Sequence, residues 1–108
     1  MKKRLQIYIT GNVQRIGFRV QAAENAVKFK ICGKAMYIDD GILIEAEGEP
    51  EQLDLFVNWC RKGPENCTIN TFSMHEMQPI HYTSFEIIHG VVSSEAIIDK
   101  FPVNSPIS

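Results

Sequence analysis

Between residues 11 and 19 the chain reads Gly-Asn-Val-Gln-Arg-Ile-Gly-Phe-Arg. Glycines stand at 11 and 17 and arginines at 15 and 19. An arginine presents a fixed fork of N–H donors that matches the oxygens of a phosphate or carboxylate. Successive backbone N–H groups in such a turn can face one concavity, and a helix starting there adds partial positive charge. The chemistry this spacing suits is the binding of a small phosphate-like anion. On composition alone, the same loop also fits two solvated arginines beside a helix start.

Charge along the chain points to the same segment. The net charge is −2, which argues against a general nucleic-acid binder. Residues 1–34 carry eight Lys/Arg against one acidic residue, Glu24, while the remainder carries three against twelve. An anion site therefore belongs near the start of the chain. The 108 residues fit one domain, with 44% hydrophobic and 22% charged residues. The apolar runs are too short to span a bilayer. Met1-Lys2-Lys3-Arg4 is followed by alternation rather than by a secretory apolar stretch. Cys32, Cys60 and Cys67 cannot all pair, so reduced thiols and a cytoplasmic location are expected.

The elements that must position the loop follow from periodicity. Residues 4–10 alternate and predict a strand, and residues 11–17 a loop. Phe18 to Lys30 predicts a helix with Ala22/Ala26 and Ala23/Val27 on one small-residue face. Gly33 to Ile38 and Ile42 to Glu47 predict two strands joined by a turn at Asp39-Asp40-Gly41. Pro50 opens a second helix, in which Leu53, Phe56, Val57 and Cys60 form an apolar stripe, and Gly63-Pro64 ends it. Two further strands are expected at about 68–76 and 83–89. The order is βαββαβ plus an extra C-terminal strand. It predicts an α+β, ferredoxin-like sandwich, an antiparallel sheet with two helices on one face.

The loop resembles the first signature of the acylphosphatase family, G-x-V-Q-G-V-G-F-R. Gly11, Val13, Gln14, Gly17, Phe18 and Arg19 match it, and Ile16 replaces a valine. Gly33, Asp40-Gly41, Ala46-Glu47-Gly48 and Trp59-Cys60-Arg61-Lys62-Gly63-Pro64 match further family positions in the right order. The resemblance covers about residues 4–89. It implies metal-independent hydrolysis of the carboxyl–phosphate bond of small acyl phosphates, without a cofactor. It also implies that the N–H groups of Gln14, Arg15, Ile16, Gly17 and Phe18 cradle a phosphoryl group that Arg19 clamps. Positioning and stabilisation of equatorial oxygens is the main demand of phosphoryl transfer.

Two positions depart from the family pattern. An asparagine on the second strand, in the family's G-W-V-R-N, orients the attacking water. Counted from Gly33, Tyr37 stands there, and the chain has no asparagine between Asn25 and Asn58. A tyrosine hydroxyl can hydrogen-bond a water but aims it elsewhere. Weakened hydrolysis is expected, with a catalytically silent anion-binding or regulatory module as the alternative. Arg15 replaces a family glycine and either adds charge to the cradle or points to solvent.

Other residues suit packing better than chemistry. His75, His81 and His89 lack metal-ligand spacing, so no metal is expected. Cys60 reads as a core thiol, Trp59 as a packing residue, and the acidic run from Asp39 to Asp54 as a solvated face. The third strand, Ile42 to Glu47, has no aromatic to stack on RNA bases. The expected partner is a small phosphate-containing anion, with no nucleic acid and no membrane. The expected domain is 1–90. An extension, 91–108, either packs on the domain or a second subunit, or frays.

Overall fold

The computed structural model describes residues 1–14 and 16–93. Strand β1 (Lys3–Asn12) places Leu5, Ile7 and Ile9 on one face and Arg4, Gln6 and Tyr8 on the other. Helix α1 (Phe18–Lys28) follows, then β2 (Cys32–Ile38), β3 (Gly41–Gly48), helix α2 (Pro50–Lys62), β4 (Thr68–Met77) and β5 (Phe85–Val92). The five strands form one sheet in the order β4-β1-β3-β2-β5. The pairs β4–β1, β1–β3 and β3–β2 are antiparallel. The expected wholly antiparallel sheet needs correcting at one edge, because β5 pairs with β2 in parallel. The connection from β4 crosses the full width of the sheet, so β5 enters at the far edge in the direction of β2.

Helix α1 ends two residues before its expected end. Lys30 takes a left-handed conformation (φ 59°), its N–H bonds to Val27 O, and the Ile31 N–H bonds to Ala26 O at 2.7 Å. These two bonds close the last turn and send Ile31 into the core. Both helices cover the sheet face that carries Ile7, Ile9, Ala35, Ile42, Ile44 and Ala46. Leu53, Phe56, Val57 and Cys60 of α2 join Ala22 and Ala26 of α1 there, as their spacing predicts. Gly33 has no substitute, because a Cβ would lie 1.9 Å from the Glu45 carbonyl oxygen across the strand pair. Among the described residues no helix is long and apolar enough to cross a membrane. Residues 94–108, most of the expected extension, lie outside the described residues.

The open face of the sheet holds a buried polar network. The Glu45 carboxylate accepts from Arg4 Nη1 at 2.8 Å, Gln6 Nε2 at 3.2 Å and the Tyr82 hydroxyl. Glu47 accepts from the backbone N–H groups of Ile80, His81 and Tyr82 at 3.0–3.4 Å. Arg4 Nε donates to the Gln78 carbonyl at 2.6 Å. Segment 78–84, which carries the chain from β4 to β5, is thus pinned to β1 and β3. His81 has φ 64° within it. Burial raises the Glu45 carboxyl, but donors from Tyr82, Gln6 and Arg4 outweigh it and hold the group below the usual carboxylate range. Burial and the Glu45 acceptor push the Tyr82 hydroxyl up.

Because the folded Glu45 binds its proton less readily than the unfolded one, its contribution is complete above the unfolded value of about 4.3. It is lost as pH falls toward the lower folded value. Urea unfolding should therefore show Glu45→Gln less stable than the parent by about 1–2 kcal/mol at pH 7, with the gap narrowing toward pH 3. An equal gap at both pH values would contradict this.

Candidate functional site

The chain leaves β1 at Asn12 and enters α1 at Phe18 after a short turn. Side chains on both sides of this turn hold it. Val13 and Phe18 are fully buried, and the Phe18 ring meets Trp59 edge-on at 5.4 Å. Ile16 packs partly buried against the same core. The Gln14 amide nitrogen donates to the carbonyls of Ile38 and, at 3.1 Å, of Gly41. That ties the turn to the β2–β3 hairpin, whose tip is held by the Tyr8 hydroxyl donating to Asp40 at 2.6 Å. Burial, then the Asp40 acceptor, push the Tyr8 hydroxyl up.

Gly17 caps α1 with φ 79° and ψ 19°, a left-handed conformation that glycine adopts without strain. No side chain caps the helix, and no acidic residue stands in its first turn. The first N–H groups of a helix have no partner within it. Helix α2 obeys the ordinary rules, with Pro50 at its start and Glu51 in its first turn. Helix α1 instead puts Arg19 at its positive end, a placement unfavourable to the helix itself. Such an end is stabilised by an anion.

Arg19 is fixed from two directions. Its guanidinium carbon lies 4.1 Å from the centroid of the Tyr37 ring, a stacking worth about 1 kcal/mol. Its Nη1 donates to the carbonyls of Ile88 at 2.7 Å and Gly90 at 3.3 Å. Those carbonyls lie at an irregularity in β5. Met36 pairs with Ile88, but Tyr37 pairs with Val91, so His89 and Gly90 are extra residues. Gly90 has φ 81°. The bulge turns backbone acceptors toward Arg19.

These parts surround a cleft of about 300 Å³ lined by Gln14, Gly17, Arg19, Val20, Tyr37, Gly90 and Val91. Of the residues expected from sequence, Gln14, Gly17, Arg19 and Tyr37 meet at this cleft. Ile16 and Phe18 lend their backbone to the turn while their side chains serve the core. Arg15 lies outside the described residues. Val20, Gly90 and Val91 did not stand out in the sequence; a glycine within a strand pattern was the one signal for the bulge. The other candidates take structural places. Burial pushes the Cys60 thiol up, away from the reactive thiolate. His75 lies on β4, His81 in the crossing segment and His89 in the bulge.

Replacing Gln14 by alanine removes both bonds to the hairpin. It should cost about 1–2 kcal/mol in urea unfolding and speed amide exchange in residues 11–17 and 38–41 together. Faster exchange at only one of these segments would show that Gln14 does not couple them.

Comparison with known proteins places the chain in a family. The acylphosphatase family model matches residues 5–87. An acylphosphatase of Thermotoga maritima is 36% identical over 86 residues, covering 79% of this chain and 96% of that protein. One of Methylococcus capsulatus is 30% identical over 91 residues, covering 82% and 99%. The crystal structure of acylphosphatase from Bacillus subtilis superposes with a TM-score of 0.77 at 30% identity, covering 82% of this chain and all of that one. Full-length HypF in its phosphate- and nucleotide-bound form gives a TM-score of 0.81 at 28% identity. This match covers 86% of this chain, which spans 12% of the HypF chain. The chain belongs to the acylphosphatase family.

Proposed function

We propose that the chain hydrolyses small acyl phosphates in the cleft at the start of α1, more slowly than a site furnished with the family asparagine. The observation that carries this reading is the posture of Arg19. It stands in the uncapped first turn of α1, with Nη1 bound to Ile88 O and Gly90 O and its face on Tyr37. A guanidinium has five N–H donors, so Nε and Nη2 are left to hold phosphoryl oxygens. The backbone N–H groups of residues 14 and 16–18 supply further donors at the positive end of the helix. Negative charge on the equatorial oxygens is then met by donors already in place, which is what lowers the barrier to phosphoryl transfer.

In the reaction, a water oxygen bonds to phosphorus as the bond from phosphorus to the acyl oxygen breaks. The electron pair leaves with the carboxylate, and the water's protons pass to phosphate and solvent. No metal enters this reading. Tyr37 occupies the place of the water-orienting asparagine. The residue is 6% exposed and its ring is engaged by Arg19, so it serves the arginine better than it serves a water. The same stack favours a second reading, a module that binds the anion without turning it over. The phosphate-bound state of the similar HypF structure supports anion binding in both readings.

Steady-state hydrolysis of acetyl phosphate decides between them. The parent should turn over measurably, and Arg19→Ala should lower kcat/KM by a hundredfold or more. Tyr37→Asn should raise kcat about tenfold or more, since misplacing a reacting group commonly costs about a hundredfold. Equal rates for the parent and Arg19→Ala would remove Arg19 from the reaction. No turnover by the parent, with turnover gained in Tyr37→Asn, would establish the silent module.

A further inference from the structure

We propose that the wall of the cleft formed by Val20, Val91 and the edge of Tyr37 seats the acyl group, and that the protein selects acyl phosphates with an apolar acyl chain. This rests on the acyl-phosphate reading above and narrows its substrate class. Val20 is 53% exposed and Val91 60% exposed. Single exposed valines are ordinary on a protein surface. These two come from different elements, the first turn of α1 and the end of β5, and line one cleft. The cleft also holds Arg19, so the apolar surface adjoins the anion site rather than standing alone.

Two polar groups of the cleft, the Gln14 amide nitrogen and Arg19 Nη1, are already committed. The Gln14 amide nitrogen is bonded to Ile38 O and Gly41 O. Arg19 Nη1 is bonded to the bulge carbonyls, and its other donors face the phosphoryl group in the reading above. Gly90 contributes no side chain, and a Cβ there would meet nothing within 4 Å. A ligand anchored by its phosphoryl group can therefore lay its remaining atoms along two valines and an aromatic edge. An apolar chain loses water favourably there. An amino or carboxylate substituent laid against the two valines would lose water there without gaining a partner from them.

Alkylphosphonates test this without turnover, because their C–P bond is not hydrolysed. Methylphosphonate, butylphosphonate and phosphonoacetate are titrated into the full chain, and the amide shifts of residues 16–20 and 90–92 are followed. Butylphosphonate should bind about fivefold or more tighter than methylphosphonate, since three added methylenes are partly buried. Phosphonoacetate should bind more weakly than butylphosphonate. In Val91→Thr the butyl-to-methyl ratio should fall to about two or less; Val20→Thr serves as a second variant should the first disturb β5. Equal affinities for the two alkylphosphonates, a ratio unchanged in both variants, or the absence of binding would each overturn the proposal. Should butylphosphonate be preferred while acetyl phosphate is not hydrolysed, the selectivity stands and the hydrolytic reading fails.

Discussion

Two carboxylates buried on the open face of the sheet decide where the last strand goes. Glu45 and Glu47 together take up donors from Arg4, Gln6, Tyr82 and three consecutive backbone N–H groups of residues 80–82. Buried charge without such partners would be strongly destabilising. Satisfied in this way, it holds the crossing segment 78–84 against β1 and β3 and delivers Phe85 beside Gly33 at the opposite edge. The carbonyls that hold Arg19 Nη1 depend on that delivery, whereas the Tyr37 stack comes from β2. The Ile88 and Gly90 carbonyls, and Val91 in the cleft wall, all lie on β5. A network on one face of the sheet thus sets the posture of a residue on the other.

The two helices show how the sequence divides stability from function. Helix α2 follows the rules of helix starts and buries a continuous apolar stripe. Helix α1 begins at an uncapped glycine with positive φ and carries a cation where an anion belongs. The neighbouring structure must hold it in place. Phe18 against Trp59 and Gln14 against the hairpin do so on one side, and the Tyr37 stack does so on the other. Local rules are broken together at one place, and that place is the cleft.

Much of this was legible in the residues. Alternation in β1, the stripe of Leu53, Phe56, Val57 and Cys60, and Gly63-Pro64 after α2 each report a local preference. Local preferences survive in the fold. The break between strand and helix was legible because Gly11 and Gly17 stand where the backbone takes positive φ. The parallel direction of β5 was not legible, since it follows from a crossing held by carboxylates that read in sequence as a solvated acidic face. Nor was the partner of Tyr37. Nothing in the spacing of residues 19 and 37 shows that a guanidinium and a phenol ring will stack, because the contact is made only when α1 lies over β2. The bulge at Gly90 depends in turn on pairing between strands that are more than fifty residues apart.

The central claim is that a phosphoryl group sits at the first turn of α1 and is held by Arg19. Titration of the protein with inorganic phosphate, followed by amide and arginine Nε shifts, tests it most directly. Saturable shifts centred on the amides of residues 16–19 and on Arg19 Nε, weakened about tenfold or more in Arg19→Ala, are the predicted result. Shifts that are absent there, or that persist with equal affinity in Arg19→Ala, would contradict it.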